Sequence, residues 1–97
     1  MILLSPDAVE DVERLRSFLD QHSPVAAQRA LASIWRVIDR LQEFPNLGAP
    51  TGDAELRQIV VRFGASGYIV RYTVLAEKRD ILITRIWHGR EARKSDD

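Results

Sequence analysis

Apolar residues recur at three- and four-residue steps through the first half of this chain and gather into strand-like runs in the second half. Met1-Ile2-Leu3-Leu4 predicts a short strand, stopped by Ser5-Pro6, a pair suited to a helix N-cap and the first helical position. Asp7, Glu10 and Asp11 load the first turns with acid, where the helix dipole favours it. Val9, Val12, Leu15, Phe18 and Leu19 mark one apolar face and predict a helix to about Gln21. Ser23-Pro24 repeats the start signal. Ala27, Ala30, Leu31, Ile34, Val37, Ile38 and Leu41 then keep the helical period to Phe44, where Pro45 withholds a hydrogen bond and restricts the residue before it. Two helices joined this closely pack as an antiparallel hairpin, and Ala26, Ala27 and Ala30 are small enough to let the backbones approach. Residues 46–53 read as a loop. Strands are predicted at about 55–63, 68–75 and 80–87, joined by hairpin-length connections at 64–67 and 76–79.

This order predicts an α+β domain: a short N-terminal strand, a two-helix hairpin and a three-stranded antiparallel meander, with the hairpin on one face of the sheet. In the middle strand Tyr68, Val70, Tyr72 and Val74 face one way, and Ile69, Arg71, Thr73 and Leu75 the other. In the last strand Leu82, Thr84 and Ile86 alternate with Ile81, Ile83, Arg85 and Trp87. Neither face is cleanly polar, yet two helices cover only one of them. A partner is therefore expected on the other.

Composition narrows the function without naming it. A chain of 97 residues is expected to form one domain. No cysteine is present, which excludes disulfides, thiol catalysis and cysteine-ligated metals. No apolar run approaches the ~20 residues that span a bilayer, and the N-terminus lacks the basic leader of a signal peptide. A cytoplasmic protein with no membrane partner is the expectation. The net charge is zero but unevenly placed: residues 1–54 carry five Lys/Arg against eight Asp/Glu, and residues 55–97 nine against six. A strand half at +3 suits an acidic partner or a phosphate backbone. Zero net charge overall argues against direct, sequence-specific DNA binding by this chain.

Candidate chemistry concentrates after the last strand. His22, at the end of the first helix, suits the dipole there. His88 sits in Trp87-His88-Gly89-Arg90-Glu91-Ala92-Arg93, with an aromatic ring and two arginines at one sheet end. Two distant histidines and no thiol predict no metal site, and the glycine spacing matches neither a Walker A nor a dinucleotide loop, so no cofactor is expected. Metal-free RNA cleavage needs a group to take the 2′-hydroxyl proton, cations for the phosphate and an acid for the leaving oxygen. His88 can serve as acid or base, Arg71, Arg85, Arg90 and Arg93 as phosphate ligands, and Glu91 as a second acid–base group.

The closing run from Ile81 to Arg93 resembles the ending of the RelE/ParE family of bacterial toxins. Phe44-Pro45-Asn46-Leu47-Gly48 resembles that family's break after its second helix, and Gly67-Tyr68-Ile69-Val70-Arg71-Tyr72 its central strand. The resemblance covers residues 1 to about 93 and implies a single toxin domain over 1–93, with 94–97 a frayed tail. It also implies a cognate antitoxin, itself a DNA-binding protein, whose disordered C-terminal segment wraps and neutralises the toxin. An acidic and apolar segment of that kind suits the +3 half of this chain and would fold on binding.

Departures from the family pattern separate its two branches. Ile69 stands where the RNA-cleaving branch has a phosphate-gripping arginine, and Arg93 where it has a tail tyrosine. Each decade of rate is worth about 1.4 kcal/mol, and losing both groups is expected to cost several decades. His88-Gly89-Arg90-Glu91 looks more like the ParE branch, whose members inhibit DNA gyrase by protein contact and block replication. The expectation is thus a non-enzymatic gyrase inhibitor. The alternatives are a RelE-like, metal-independent endoribonuclease acting on ribosome-bound mRNA, with His88, Arg90 and Arg71 as catalytic candidates, and a non-toxic antitoxin-binding module. Trp87, His88, Arg90 and Arg93 are the expected target-contacting residues, and Ile69, Arg71 and Thr73 the expected antitoxin-contacting ones.

Overall fold

The computed structural model describes residues 1–75, 77 and 79–91. Its elements run β1 (Ile2–Leu4), α1 (Pro6–Asp20), α2 (Pro24–Arg40), β2 (Ala49–Pro50), β3 (Arg57–Phe63), β4 (Ser66–Leu75) and β5 (Asp80–His88). Five strands form one sheet in the order β1-β5-β4-β3-β2, with α1 and α2 packed on one face. Both helices start as the Ser-Pro pairs predict: the Ser5 and Ser23 hydroxyls accept from the backbone N–H groups of Ala8 and Ala26. No helix among the described residues is long and apolar enough to cross a membrane.

The meander is antiparallel, and β1 joins it as a parallel partner of β5, in register from Ile2 opposite Ile81 to Leu4 opposite Ile83. The helix α2 ends at Arg40, with Leu41 as its cap, and turns carry the chain on to Phe44. Part of the expected 46–53 loop is the two-residue strand β2, paired with Arg57 and Gln58 of β3.

The core draws Leu15 from α1, Ile34 and Ile38 from α2, Val61 from β3, Tyr68, Val70 and Tyr72 from β4, and Ile81, Ile83 and Ile86 from β5. Each fully buried aliphatic side chain contributes about 1.5–3 kcal/mol through removal from water. The apolar stripe of α1 differs from the expected one. Val9 and Phe18 are exposed, and the buried positions are Ala8, Asp11, Val12 and Leu15, so a carboxylate lies within the packed face.

The alternation expected for the last strand also breaks. The β4–β5 register slips between Arg71 and Tyr72: Arg71 lies opposite Arg85, while Tyr72 lies opposite Ile83. Thr84 is the extra residue, and its hydroxyl donates to the Arg71 carbonyl at 3.1 Å. One inserted residue reverses the facing of everything after it. Ile81 and Ile83 before the bulge and Ile86 after it are therefore all buried in the core.

Candidate functional site

The end of β5 is held by charge. Because β1 stops at Leu4, the outer edge of β5 loses its strand partner after Ser5, whose N–H donates to Ile83 O and whose hydroxyl donates to Thr84 O. Beyond that point α1 supplies the partners. The Ile86 N–H donates to Asp11 Oδ2 at 2.8 Å, and Arg14 donates to the Ile86 carbonyl at 3.2 Å. Asp11 is 1% exposed and accepts further bonds from Arg85 and Arg14. Burial pushes its pKa up, but the bonds from Arg85, Arg14 and Ile86 outweigh burial and hold it below the usual carboxylate value.

Arg14 also grips Glu91 through two nitrogens, at 3.0 and 3.2 Å. That pair raises the Arg14 pKa, chiefly through the hydrogen bond to Glu91. Glu91 Oε2 in turn accepts from the His88 N–H, and the Glu91 N–H closes a turn onto His88 O. Gly89 donates its N–H to Gly67 O at 2.8 Å, and a Cβ there would lie 3.2 Å from the same oxygen. The glycine serves this close backbone approach.

Within the turn the Arg90 N–H donates to His88 Nδ1 at 3.0 Å. A backbone N–H only donates, so Nδ1 is the acceptor and the proton of the neutral ring sits on Nε2. The ring stands edge-on to Tyr68 with centroids 5.2 Å apart. Burial, and secondarily the charge of Glu91, push the Tyr68 hydroxyl pKa up. His88 and Tyr68 form one wall of a cleft of about 520 Å³, and Leu15, Phe18, Leu19 and His22 of the α1 end form the other. Ser66, Arg90 and Glu91 complete its rim. His22 Nδ1 lies 3.0 Å from the Phe18 carbonyl, which can only accept, and its ring lies 4.9 Å from that of Phe18.

The expected site residues fall on two sides of the sheet. His88 and Arg90 share the cleft on the helix side. Trp87 pairs with Ile69 across β4–β5 on the opposite side, is 7% exposed, and carries the Arg71 guanidinium 5.0 Å from its ring centroid. Arg71 also donates to Gln58 Oε1 at 3.1 Å. Ile69, Arg71 and Thr73 follow one another at two-residue steps along β4 and are all half-buried. The backbone therefore separates His88 from Arg71. Arg85 and Glu91, both candidates for RNA chemistry, are engaged by Asp11 and Arg14. Arg93 and the expected tail over 94–97 lie outside the described residues. Sequence reasoning missed Asp11, Arg14 and Phe18 as shapers of this end. The available signal was an acid at the spacing of the buried stripe, between Ala8 and Leu15. Among the described residues no cluster of three or more metal-ligating side chains occurs.

Residues 2–93 match the family described as the ParE toxin of type II toxin–antitoxin systems, parDE. Toxin RelE1 of Caulobacter vibrioides is 37% identical over 92 residues, covering 95% of this chain and 96% of that protein. Toxin RelE3 of the same organism is 34% identical over 90 residues, covering 93% and 95%. Among solved structures, a chain of the chromosomal ParDE system from P. aeruginosa superposes with a TM-score of 0.72 at 19% identity, covering 90% of this chain and 92% of that one. A chain of the intact E. coli RelBE toxin–antitoxin complex gives 0.64 at 19% identity, covering 96% and 98%. These two share the α+β fold. With the family match spanning nearly the whole chain and two relatives above 30% identity, this protein belongs to the ParE toxin family of type II toxin–antitoxin systems.

Proposed function

We propose that this chain is a toxin that inhibits DNA gyrase by protein–protein contact and is neutralised by a cognate antitoxin seated on the sheet face opposite the helices. The observation that carries the non-enzymatic reading is the separation of the groups RNA cleavage would need. His88 and Arg71 lie on opposite faces of the sheet, and Arg85 is committed to Asp11. The ribonuclease reading draws on the adjacency of His88 and Arg90 in one cleft and on the RelE name of the two relatives.

The purified chain is expected to inhibit gyrase supercoiling, or to accumulate cleaved DNA, with reversal by antitoxin, and to leave mRNA on translating ribosomes intact. Codon-positioned mRNA cleavage abolished by His88→Ala would replace this reading with the ribonuclease one.

The half-buried row Ile69, Arg71 and Thr73, flanked by Val60, which is 49% exposed, supports this face as the antitoxin surface. Apolar side chains beside Arg71 suit a segment that mixes apolar and acidic residues. Ile69→Asp is expected to weaken the complex by about 1–3 kcal/mol, through lost apolar burial and a desolvated charge. Titration calorimetry against the antitoxin measures this, and unchanged affinity in a folded variant would move the groove elsewhere.

A further inference from the structure

We infer that the cleft between the end of α1 and the β4–β5 end is an anchor pocket for the target protein, taking an aromatic side chain that lies next to a carboxylate. This rests on the reading of the His88–Arg90 turn as the target-contacting end. The walls are aromatic and aliphatic: Phe18, Leu19 and Tyr68 line the cleft, and Phe18 remains 55% exposed although it belongs to a helix whose apolar neighbours Val12 and Leu15 are buried. The polar groups are set in complementary states. His22 Nδ1 faces the Phe18 carbonyl and donates to it, which in the neutral ring leaves Nε2 as an acceptor. His88 Nδ1 accepts from the Arg90 N–H, which leaves Nε2 as a donor. An indole N–H satisfies the first, and a carboxylate satisfies the second.

Charge selects an anion. Glu91, the lining carboxylate, is already claimed by Arg14 and by the His88 N–H, so its charge is offset within the fold. Arg90 is exposed at the rim, and its guanidinium has no ion pair or hydrogen bond among the described residues. The cleft therefore presents a net cation above an apolar floor. The target is favoured over the antitoxin as the occupant because Tyr68 and Ile69 point to opposite faces of β4, placing this cleft across the sheet from Ile69 and Arg71.

The test titrates the isotopically labelled chain with N-acetyl-tryptophan, followed by amide shifts, and compares N-acetyl-tryptophanamide, tryptamine and AMP. Saturable shifts at Phe18, His22, Ser66 and Arg90 are expected with N-acetyl-tryptophan, with about tenfold weaker binding on removal of the carboxylate or on Arg90→Gln, equivalent to about 1.4 kcal/mol. Absence of saturable binding, or tryptamine binding as tightly, overturns the inference. Preference for AMP assigns the cleft to nucleic acid and overturns it too.

Source is decided by two further readouts on Phe18→Ala and Arg90→Gln, both at exposed positions. Growth inhibition in cells is expected to fall at least tenfold, while antitoxin affinity stays within about threefold of wild type. Loss of antitoxin affinity with growth inhibition retained gives the cleft to the antitoxin and overturns the assignment. A wild-type chain that stops growth without inhibiting gyrase, with the variants still behaving as expected, removes the gyrase reading and leaves the anchor pocket standing.

Discussion

Asp11→Ala is expected to destabilise the fold by about 2–4 kcal/mol, chiefly from the lost charged hydrogen bonds and the unsatisfied Ile86 N–H. The cost stays below the full cost of breaking a buried ion pair because Arg85 and Arg14 are partly exposed. The carboxylate is 1% exposed and joins four groups: the Arg85 and Arg14 side chains, the Ile86 backbone N–H and, through Arg14, the Glu91 turn. Its removal leaves the Ile86 N–H without this acceptor, takes the Asp11 carboxylate away from Arg85, and leaves Arg14 with Glu91 as its counter-ion. Urea unfolding at neutral pH measures the loss. A variant within about 0.5 kcal/mol of wild type, the spread of ordinary surface substitutions, would show that α1 and β5 are held together by apolar packing alone.

The same group sets an acid limit. The folded-state pKa of Asp11 lies below its unfolded value, so at low pH the unfolded chain binds the proton more readily than the folded one. Its contribution is complete above the unfolded carboxylate pKa of about 4 and is lost as the pH falls through the lower folded value. Wild-type stability should therefore drop below about pH 4, and the drop should be smaller in Asp11→Ala. Equal acid sensitivity in the two proteins would place the proton uptake on other carboxylates.

Gly48→Ala is expected to cost about 2–3 kcal/mol, from overpacking at a site with no room to relax. A Cβ at Gly48 would stand 2.7 Å from both Cε1 and Oη of Tyr72 and 2.9 Å from the Gln58 carbonyl oxygen. Tyr72 cannot swing away freely, because its hydroxyl accepts from the Gly48 N–H at 2.8 Å and donates to the Pro45 carbonyl at 2.7 Å. This clamp ties the loop after α2 to the centre of the sheet. Burial pushes the Tyr72 hydroxyl pKa up, so it remains a donor well into alkaline solution. In a Tyr72→Phe background the oxygen is gone and both bonds are already lost, so Gly48→Ala should cost less there. A double-mutant cycle reads the coupling directly. Equal costs in the two backgrounds would mean that the strain comes from atoms both share, the ring Cε1 or the Gln58 carbonyl oxygen, and not from the tethered hydroxyl.

Much of this fold is legible locally. Ser5-Pro6 and Ser23-Pro24 act through bonds spanning three residues, and the apolar period of α2 lists its buried positions almost without error: Ala27, Ala30, Leu31, Ile34, Ile38 and Leu41 are all buried. The candidate site was legible only in part. His88 and Arg90 stand where a run of chemistry-bearing residues after a strand suggested, but Trp87, next to His88 in the chain, belongs to the other face.

What the sequence by itself determined was the α+β order, the helix starts, the hairpin, the meander and the family, since each depends on neighbours within a few residues or on motifs in a fixed order. Tertiary structure alone decided three things. The facing of Ile86 and Trp87 turns on a bulge at Thr84, and a period-two pattern carries no mark of an inserted residue until the partner strand supplies the register. The place of β1 beside β5 joins residues 79 positions apart, as in Ile2 with Ile81. The role of Asp11 changed most, from an acid suited to a helix dipole to the buried acceptor of Arg85 and Ile86, because a carboxylate is tolerated in a core only where folding delivers the donors to it.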